Sequence, residues 1–184
     1  MKDLMLDLET MGNGSEAAIM SIGACYFDIK TGEIGNTFHK QINLESAVES
    51  GLVIDASTVL WWMKQSEEAR SKFYDNDDAF GIHHVLAEFA SFVEPHVKVW
   101  GNGATFDNVI LKNAYKQCLN MDAPWAFYND MDVRTMVRLG REVGFDPKKD
   151  MPFEGVKHDA LADAIHQAKY VSAIYQKLIT TSAS

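Results

Sequence analysis

The sequence has little cysteine and no long apolar run. Cys25 and Cys118 are the two cysteines among 184 residues, and they lie too far apart for the close pairing of a zinc ribbon or a small disulfide scaffold. We therefore expect two buried thiols in a reducing compartment and a cytoplasmic location. The longest apolar run, about 59–63, is far shorter than a membrane span, and the N-terminus lacks an apolar signal segment, so no membrane partner is expected.

Positive charge is also scarce, with 17 Lys and Arg against 26 Asp and Glu and a formal net charge of -9. Proteins that coat nucleic acid by charge alone usually have a basic surface, so this class is disfavoured. An enzyme that acts on nucleic acid stays compatible with the composition. In such an enzyme, clustered carboxylates hold metal ions, and the ions supply the positive charge.

The chain has no Pro- or Gly-rich linker, internal repeat or low-complexity tract, so we expect one domain over residues 1–184. The apolar pattern predicts five strands, at 4–9, 18–27, 35–42, 97–100 and 125–128. It predicts helices at 57–64, 66–74, 78–93, 106–119, 133–143 and from a cap at Asp159 to about 179, with a loop at 146–155. Strands followed by alternating helices and strands indicate an α/β domain with a mixed sheet.

Asp7 and Glu9 point to the same face of the first predicted strand, because strand side chains alternate between faces. The residues between and before them are apolar, so the strand is expected to be partly buried. Two neighbouring carboxylates are costly there unless a cation joins them, and Mg²⁺ and Mn²⁺ prefer such oxygen ligands. The alternative is an edge strand with a solvated acidic face.

Asp107 lies at the start of a predicted helix, just after the strand that ends at Trp100. Open α/β sheets bind ligands at this carboxyl end of their strands. The alternative is a carboxylate that only stabilises the positive end of the helix dipole.

His158 and Asp163 form the last cluster. On one continuous helix their side chains would point about 140° apart. If Asp159 caps the helix, His158 lies in the preceding loop and can turn back towards Asp163. A histidine beside a metal-binding aspartate is a candidate general base, and the alternative is a capping or surface histidine.

The order of these motifs resembles the DEDDh group of 3′→5′ exonucleases, DnaQ-like members of the ribonuclease-H-like superfamily. Residues 7–10 are similar to the family's DxET motif, residues 101–107 resemble its second motif, and residues 155–164 resemble its third. The resemblance covers about residues 3–178. It implies a five-stranded mixed sheet flanked by helices and a single 3′–5′ exonuclease domain.

The resemblance also implies roles for individual residues. The ligands that it implies for two Mg²⁺ or Mn²⁺ ions are Asp7, Glu9, Asp107 and Asp163. Such a pair of ions can clamp the scissile phosphate. His158 would accept a proton from the attacking water, and the backbone of Thr10, Met11 and Gly12 would press on the terminal nucleotide. The implied partner is nucleic acid with a free 3′ end, as a single strand or a 3′ overhang.

Residues 10–12, 57–66 and 132–135 more narrowly resemble the compact branch that holds phage exonuclease A and the mycobacterial exoribonuclease RNase AS. This branch has DNA- and RNA-directed members, so the resemblance leaves the sugar open. Related exoribonucleases pair as dimers, which makes a homodimer one state to test.

Further side chains are candidates for substrate contact. Trp61 and Trp62 can stack on bases, although one of the two rings can instead pack in the core, and Phe106 has the same two interpretations. Arg134 shares a helix face with arginines four and seven residues later. That face is either a phosphate track or, as the pattern favours, a solvated face.

Two other functions stay open at this point. A ribonuclease-H-type endonuclease could use the same fold, but the spacing of His158 and Asp163 argues against it. A nucleic-acid-binding module with an inactive site would usually have lost a carboxylate, and all four are present.

Overall fold

A computed structural model describes residues 1–74, 79–153 and 158–182. Within these parts, one five-stranded sheet is packed against eight helices. The strands are β1 (Asp3–Thr10), β2 (Ile19–Phe27), β3 (Ile34–Gln41), β4 (Lys98–Gly101) and β5 (Asp130–Asp132). The helices are α1 (Leu44–Glu49), α2 (Ala56–Trp62), α3 (Glu67–Tyr74), α4 (Ile82–Phe92), α5 (Asp107–Leu119), α6 (Val133–Glu142), α7 (Pro147–Asp150) and α8 (Ala160–Ser182).

The sheet is mixed, with the strand order β3-β2-β1-β4-β5. Strand β1 runs antiparallel to β2 on one side and parallel to β4 on the other. It is therefore an interior strand, and the alternative of an edge strand with a solvated acidic face is wrong. The carboxylates of Asp7 and Glu9 lie within the sheet's interior, Glu9 with 8% of its surface exposed and Asp7 partly buried.

Alternate residues of β1 belong to two hydrophobic cores, one on each face of the sheet. Leu4, Leu6 and Leu8 are buried among residues of α4 and α5. Met5 is buried on the other face, among residues of α6 and α8. The odd-numbered face, which also carries Asp7 and Glu9, therefore faces α8. The predicted α/β class with a mixed five-stranded sheet flanked by helices is confirmed.

Several predicted elements differ from the structure. The fifth strand is not at 125–128, because residues 127–129 form a 3₁₀ turn and the strand that pairs with β4 is Asp130–Asp132. Helix α1 was not predicted, and α7 lies within the predicted loop. The helix predicted from 78 begins at Ile82, because Gly81 has extended backbone, and position 78 lies outside the described residues.

Over the described ranges, none of the helices combines the length and the apolar character needed to cross a membrane.

Candidate active site

Three carboxylates come together where β1 meets the first turns of α8. Single oxygens of Asp7, Glu9 and Asp163 all lie within 4.8 Å of one another. The helix can begin this close to the sheet because Gly23, the β2 partner of Asp7, has no side chain. A Cβ at Gly23 would lie 2.1 Å from the backbone carbonyl carbon of Ala160. The missing side chain of Gly23 therefore brings Asp163 to the strand carboxylates.

His158 lies just before the N-terminus of α8 and is not part of the helix. Asp159 caps the helix, because its Oδ1 accepts a hydrogen bond of 2.9 Å from the Ala162 N–H. His158 lies outside the helix with φ of 63°, and its N–H donates to Asp163 Oδ2 at 3.0 Å. The predicted cap and the predicted loop position of His158 are both confirmed. The turn before α8 therefore fixes one oxygen of Asp163.

The imidazole of His158 packs against the paired tryptophans of α2. Its ring centre lies 5.0 Å from that of Trp61 and 5.8 Å from that of Trp62, with both contacts edge-on. His158 is partly buried. The ring contacts hold the imidazole against α2, and the role of His158 as a general base stays a prediction.

Asp107 approaches the cluster from the other side of β1. It is the first residue of α5, is 3% exposed, and its Oδ1 accepts a hydrogen bond of 3.2 Å from the Leu8 N–H. The ladder between β1 and β4 ends at Leu6 and Gly101, so Leu8 lies beyond it and uses the carboxylate as its acceptor. A Cβ at Gly101 would lie 3.1 Å from that of Asp107, so this glycine also allows a close approach.

Three of the four carboxyl groups, those of Asp7, Asp107 and Asp163, resist ionisation. Burial raises the pKa of Asp7 well above its usual range, and the charges of Asp107, Glu9 and Asp163 raise it further. Burial also raises the pKa of Asp107 to about 7 and that of Asp163 above its usual value. A divalent cation would reverse these effects, because it favours the ionised form of each ligand. The all-carboxylate donor set fits a hard cation such as Mg²⁺ or Mn²⁺.

A cleft of about 350 Å³ opens beside Glu9. Its lining is part polar and part aromatic, and consists of Leu8, Glu9, Thr10, Gly12, Asn13, Ser57, Thr58, Trp61, Trp62 and Phe106. Thr10 Oγ1 donates to the Gly12 carbonyl at 2.7 Å, and Trp62 Nε1 donates to the Thr10 carbonyl at 2.9 Å. The loop after β1 is therefore held in place on one wall of the cleft.

The predicted substrate residues do not all reach this cleft. Thr10, Gly12 and Phe106 line it, but Met11 packs against the hydrophobic cores beneath the loop. Of the two tryptophans, one fits core packing and the other fits stacking on a base. Trp62 is 5% exposed and packs in a small core, whereas Trp61 is 44% exposed at the cleft.

Arg134 is not among the residues that line this cleft. Its side chain covers the loop after β4, where a Cβ at Gly103 would lie 3.1 Å from the guanidinium carbon. Its charge is among the smaller effects that lower the pKa of Asp107. Arg134 makes no salt bridge within the described ranges, whereas Arg138 pairs with Glu142 and Arg141 pairs with Asp146. Arg138 and Arg141 are thus paired on an exposed face, and Arg134 stays the candidate for a phosphate contact.

Two residues beside the cluster were not predicted. Gln167 is 5% exposed, and its Nε2 donates to Asp7 Oδ1 at 2.7 Å. Tyr170 is buried nearby, and burial, with smaller contributions from the Asp7 and Asp163 charges, raises the pKa of its phenol. Both follow Asp163 at helical spacing, four and seven residues later. That spacing is the signal in the sequence that could have found them.

Comparison with known proteins places the chain in a family. A model described as the 3′–5′ exoribonuclease Rv2179c-like domain matches residues 2–175. The fold and the carboxylate cluster thus belong to a 3′–5′ exonuclease of the ribonuclease-H-like class. More particularly, the chain belongs to the family of 3′–5′ exoribonuclease Rv2179c-like domains, and the predicted DEDDh exonuclease class is confirmed.

Individual relatives agree with this assignment. The exodeoxyribonuclease of Enterobacteria phage T4 is 26% identical over 192 residues, which cover 89% of this chain and 84% of the phage protein. E. coli exonuclease I bound to a dT13 oligonucleotide is similar in fold, with a TM-score of 0.61 and 15% identity. The aligned region covers 98% of this chain and 42% of the exonuclease I chain. The nuclease domain of 3′hExo, a DEDDh family member bound to rAMP, has a TM-score of 0.53, 16% identity and coverage of 97% and 91%. This chain thus spans less than half of exonuclease I.

Proposed function

We propose that this chain hydrolyses phosphodiester bonds from the free 3′ end of a nucleic acid, one nucleotide at a time. The observation that carries the proposal is the set of three carboxylates within 4.8 Å of one another, one of which lines a cleft with aromatic walls. A cleft beside a cation site can admit a terminal nucleotide and place its phosphate against the carboxylates.

We propose two Mg²⁺ or Mn²⁺ ions as the cofactors. The residues that would hold them are Asp7, Glu9, Asp107 and Asp163. When bound, two such ions stabilise charge on the attacking and the leaving oxygens of a phosphoryl group. The structure supports this assignment through its all-oxygen donor set and through carboxyl groups whose pKa values are raised in the absence of a cation.

The remaining site residues bind and orient the substrate or move a proton. His158 takes a proton from the attacking water; its backbone N–H is bonded to Asp163, and the two tryptophans hold its imidazole in place. Trp61 and Phe106 offer ring faces to the terminal base. The backbone of Thr10 and Gly12 holds the terminal sugar, and Arg134 neutralises a phosphate.

The substrate is a nucleic acid with a single-stranded 3′ end. E. coli exonuclease I has been solved with dT13 and with dA16 oligonucleotides, which supports a strand bound without its complement. The family description names an exoribonuclease and the phage relative is an exodeoxyribonuclease, so both sugars are included in the test. A homodimer is a second proposal, which light scattering of the purified chain can test, and cytoplasmic location stays a prediction.

The test is degradation of matched 5′-labelled single- and double-stranded DNA and RNA with Mg²⁺ or Mn²⁺. We expect products that shorten stepwise from the 3′ end, strong slowing by a 3′-phosphate or a bulky 3′ block, and no cutting of a circular substrate. The Asp7→Asn variant is the matched control for a contaminating nuclease. Cutting of the circle would identify an endonuclease. Bound Mn²⁺ without turnover on any substrate would identify a binding module.

A further inference from the structure

Gln167 is a buried polar residue of α8 that joins the helix to the carboxylate cluster. Its Nε2 donates a hydrogen bond of 2.7 Å to Asp7 Oδ1, and 5% of its surface is exposed. Gln167 therefore fixes one oxygen of Asp7 and with it the direction of the other.

The second polar atom of the same amide has no partner. Gln167 Oε1 is buried and accepts no hydrogen bond in the described parts of the chain. Buried carbonyl oxygens in proteins nearly always accept a hydrogen bond, and an unpaired one carries the full cost of its lost hydration. Since Nε2 and Oε1 are bonded to the same carbon and Nε2 contacts Asp7, the unpaired oxygen lies beside the cluster.

These two facts together point to a ligand that brings a hydrogen-bond donor. The neighbouring groups of the cluster are carboxylates, and an ionised carboxylate accepts hydrogen bonds but donates none. A hydrated Mg²⁺ or Mn²⁺ carries water, because such cations usually keep part of their hydration shell in proteins. That water is the donor that the arrangement lacks.

We propose that Gln167 is a positioning residue for the cation site. Its amide N–H holds Asp7 in the rotamer that binds the cation, and its amide oxygen accepts a hydrogen bond from the water that the cation brings. The inference rests on the proposed metal site. Outer residues that hold a metal ligand in this way typically change metal affinity by about 10–100-fold when removed.

A purely structural role makes a different prediction. If Gln167 only packs α8 onto β1, its replacement lowers the stability of the metal-free protein and leaves metal affinity unchanged. Ser172 offers a matched control on the same helix. It is 1% exposed, and its Oγ donates at 2.9 Å to the Ile29 carbonyl, a group outside the cluster.

The experiment compares the parent chain with Gln167→Met and Ser172→Ala. Isothermal titration of Mn²⁺ into chelator-treated protein gives the dissociation constant, and melting in EDTA gives the stability of the metal-free fold. We expect both variants to melt earlier, and only Gln167→Met to bind Mn²⁺ about 10–100-fold more weakly. Gln167→Asn keeps the amide on a shorter side chain. Gln167→Asn should bind Mn²⁺ as weakly as Gln167→Met, and it replaces Gln167→Met in the comparison if that variant does not fold.

Two failures are distinguishable in this design. A dissociation constant for Gln167→Met within twofold of the parent value would overturn the inference and leave the metal site standing. A parent chain that binds no Mn²⁺ at millimolar concentration would overturn the proposed metal site and this inference with it. Weakening of equal size in Ser172→Ala would show that the loss is a general effect of loosening α8, which also overturns the inference.

Discussion

Three of the four site carboxylates each have one oxygen held by a neighbouring donor. Asp163 Oδ2 accepts from the His158 N–H, Asp107 Oδ1 from the Leu8 N–H, and Asp7 Oδ1 from Gln167. Each carboxylate therefore keeps its orientation before a cation arrives. A site oriented in this way loses little side-chain freedom when it binds a cation, because that freedom is already lost on folding.

Loss of Asp163 and loss of His158 should have different effects. Asp163→Asn removes a charged oxygen ligand, so we expect weaker Mn²⁺ binding together with low activity. His158→Ala keeps the backbone N–H that holds Asp163, so Mn²⁺ binding should stay nearly intact while turnover falls by about 10²–10⁴-fold, the usual loss for a general base. Calorimetry with Mn²⁺ and single-turnover hydrolysis measure the two effects separately.

The pH profile supplies the control for this comparison. A general base must be unprotonated to act, so the parent rate should rise with pH and then level off. A wild-type profile alone is ambiguous, because water on a metal also titrates near neutrality in some sites. If His158→Ala keeps full activity and the same rise at low pH, then His158 is not the base.

At the scale of elements, two glycines set the distances within the site. Gly23 of β2 meets the start of α8, and Gly101 of β4 meets the start of α5, on either side of β1. Both helices approach the sheet at their first turns, which carry Asp163 and Asp107. The catalytic arrangement thus depends on close packing between backbone segments as well as on the motif residues themselves.

Gly23→Ala should damage the site although it adds one methyl group. The new Cβ would lie 2.1 Å from the carbonyl carbon of Ala160, and backbone atoms cannot rotate away as a side chain can. We expect α8 to shift, stability to fall by about 1–3 kcal/mol and Mn²⁺ binding to weaken. Denaturant unfolding and calorimetry measure these two effects. Gly14→Ala is the control, because nothing lies within 4 Å of its Cβ; equal behaviour of the two variants would contradict the role of Gly23.

The two tryptophans of α2 should respond differently to replacement by alanine. Trp62 is buried and bonded to the Thr10 carbonyl, so Trp62→Ala should lower stability by about 3–5 kcal/mol. Trp61 is 44% exposed at the cleft, so Trp61→Ala should keep the fold and weaken binding of single strands by about 1–3 kcal/mol. Thermal unfolding and fluorescence anisotropy with a labelled oligonucleotide measure the two effects. Unchanged affinity in Trp61→Ala would exclude stacking on that ring.

The elements that the sequence predicts well are those with local signals. Strand β1 and the capped start of α8 follow from alternation and from Asp159, and they carry most of the cluster. Strand β5 does not follow, because an acidic residue in a strand is disfavoured by local pattern and is accommodated here by side chains outside the strand: Asp130 pairs with Lys112 and accepts a hydrogen bond from Trp125 Nε1 at 2.9 Å. The contact of Gln167 with Asp7, 160 residues away, does not follow from a local pattern either, and the spacing of four residues from Asp163 is the one sequence signal for it.

At the scale of the whole molecule, the net charge of -9 and the carboxylate cluster act together. A negative protein repels the phosphate backbone and attracts cations. Divalent cations should therefore aid substrate binding as well as the chemistry, because they remove part of the repulsion at the point of contact.

Metal should stabilise the whole fold. A ligand that binds only the native state adds about 2.7 kcal/mol at one hundred times its dissociation constant, which is about 5–10 °C in melting temperature for a chain of this size. We expect melting to rise from EDTA to millimolar Mg²⁺ or Mn²⁺, and Asp7→Asn to lose most of this rise. Asp7→Asn should also melt later than the parent in EDTA, because it replaces a buried carboxyl group whose ionisation is disfavoured by burial and by the neighbouring charges.

The rise in melting temperature on addition of metal should also depend on pH, and it should be larger at higher pH. The pKa of Asp107 is about 7 in the folded chain, above its usual value of 3.8, so the stability that its neutral form supplies is present below about pH 4 and lost as pH rises towards 7. The cation binds the ionised form of the carboxylates, which becomes more populated as pH rises. The melting shift from EDTA to Mn²⁺ should therefore be larger at pH 7.5 than at pH 5, and potassium chloride at matched ionic strength should not reproduce it. The same midpoint in EDTA, Mg²⁺ and Mn²⁺ at both pH values would count against a metal site at these carboxylates.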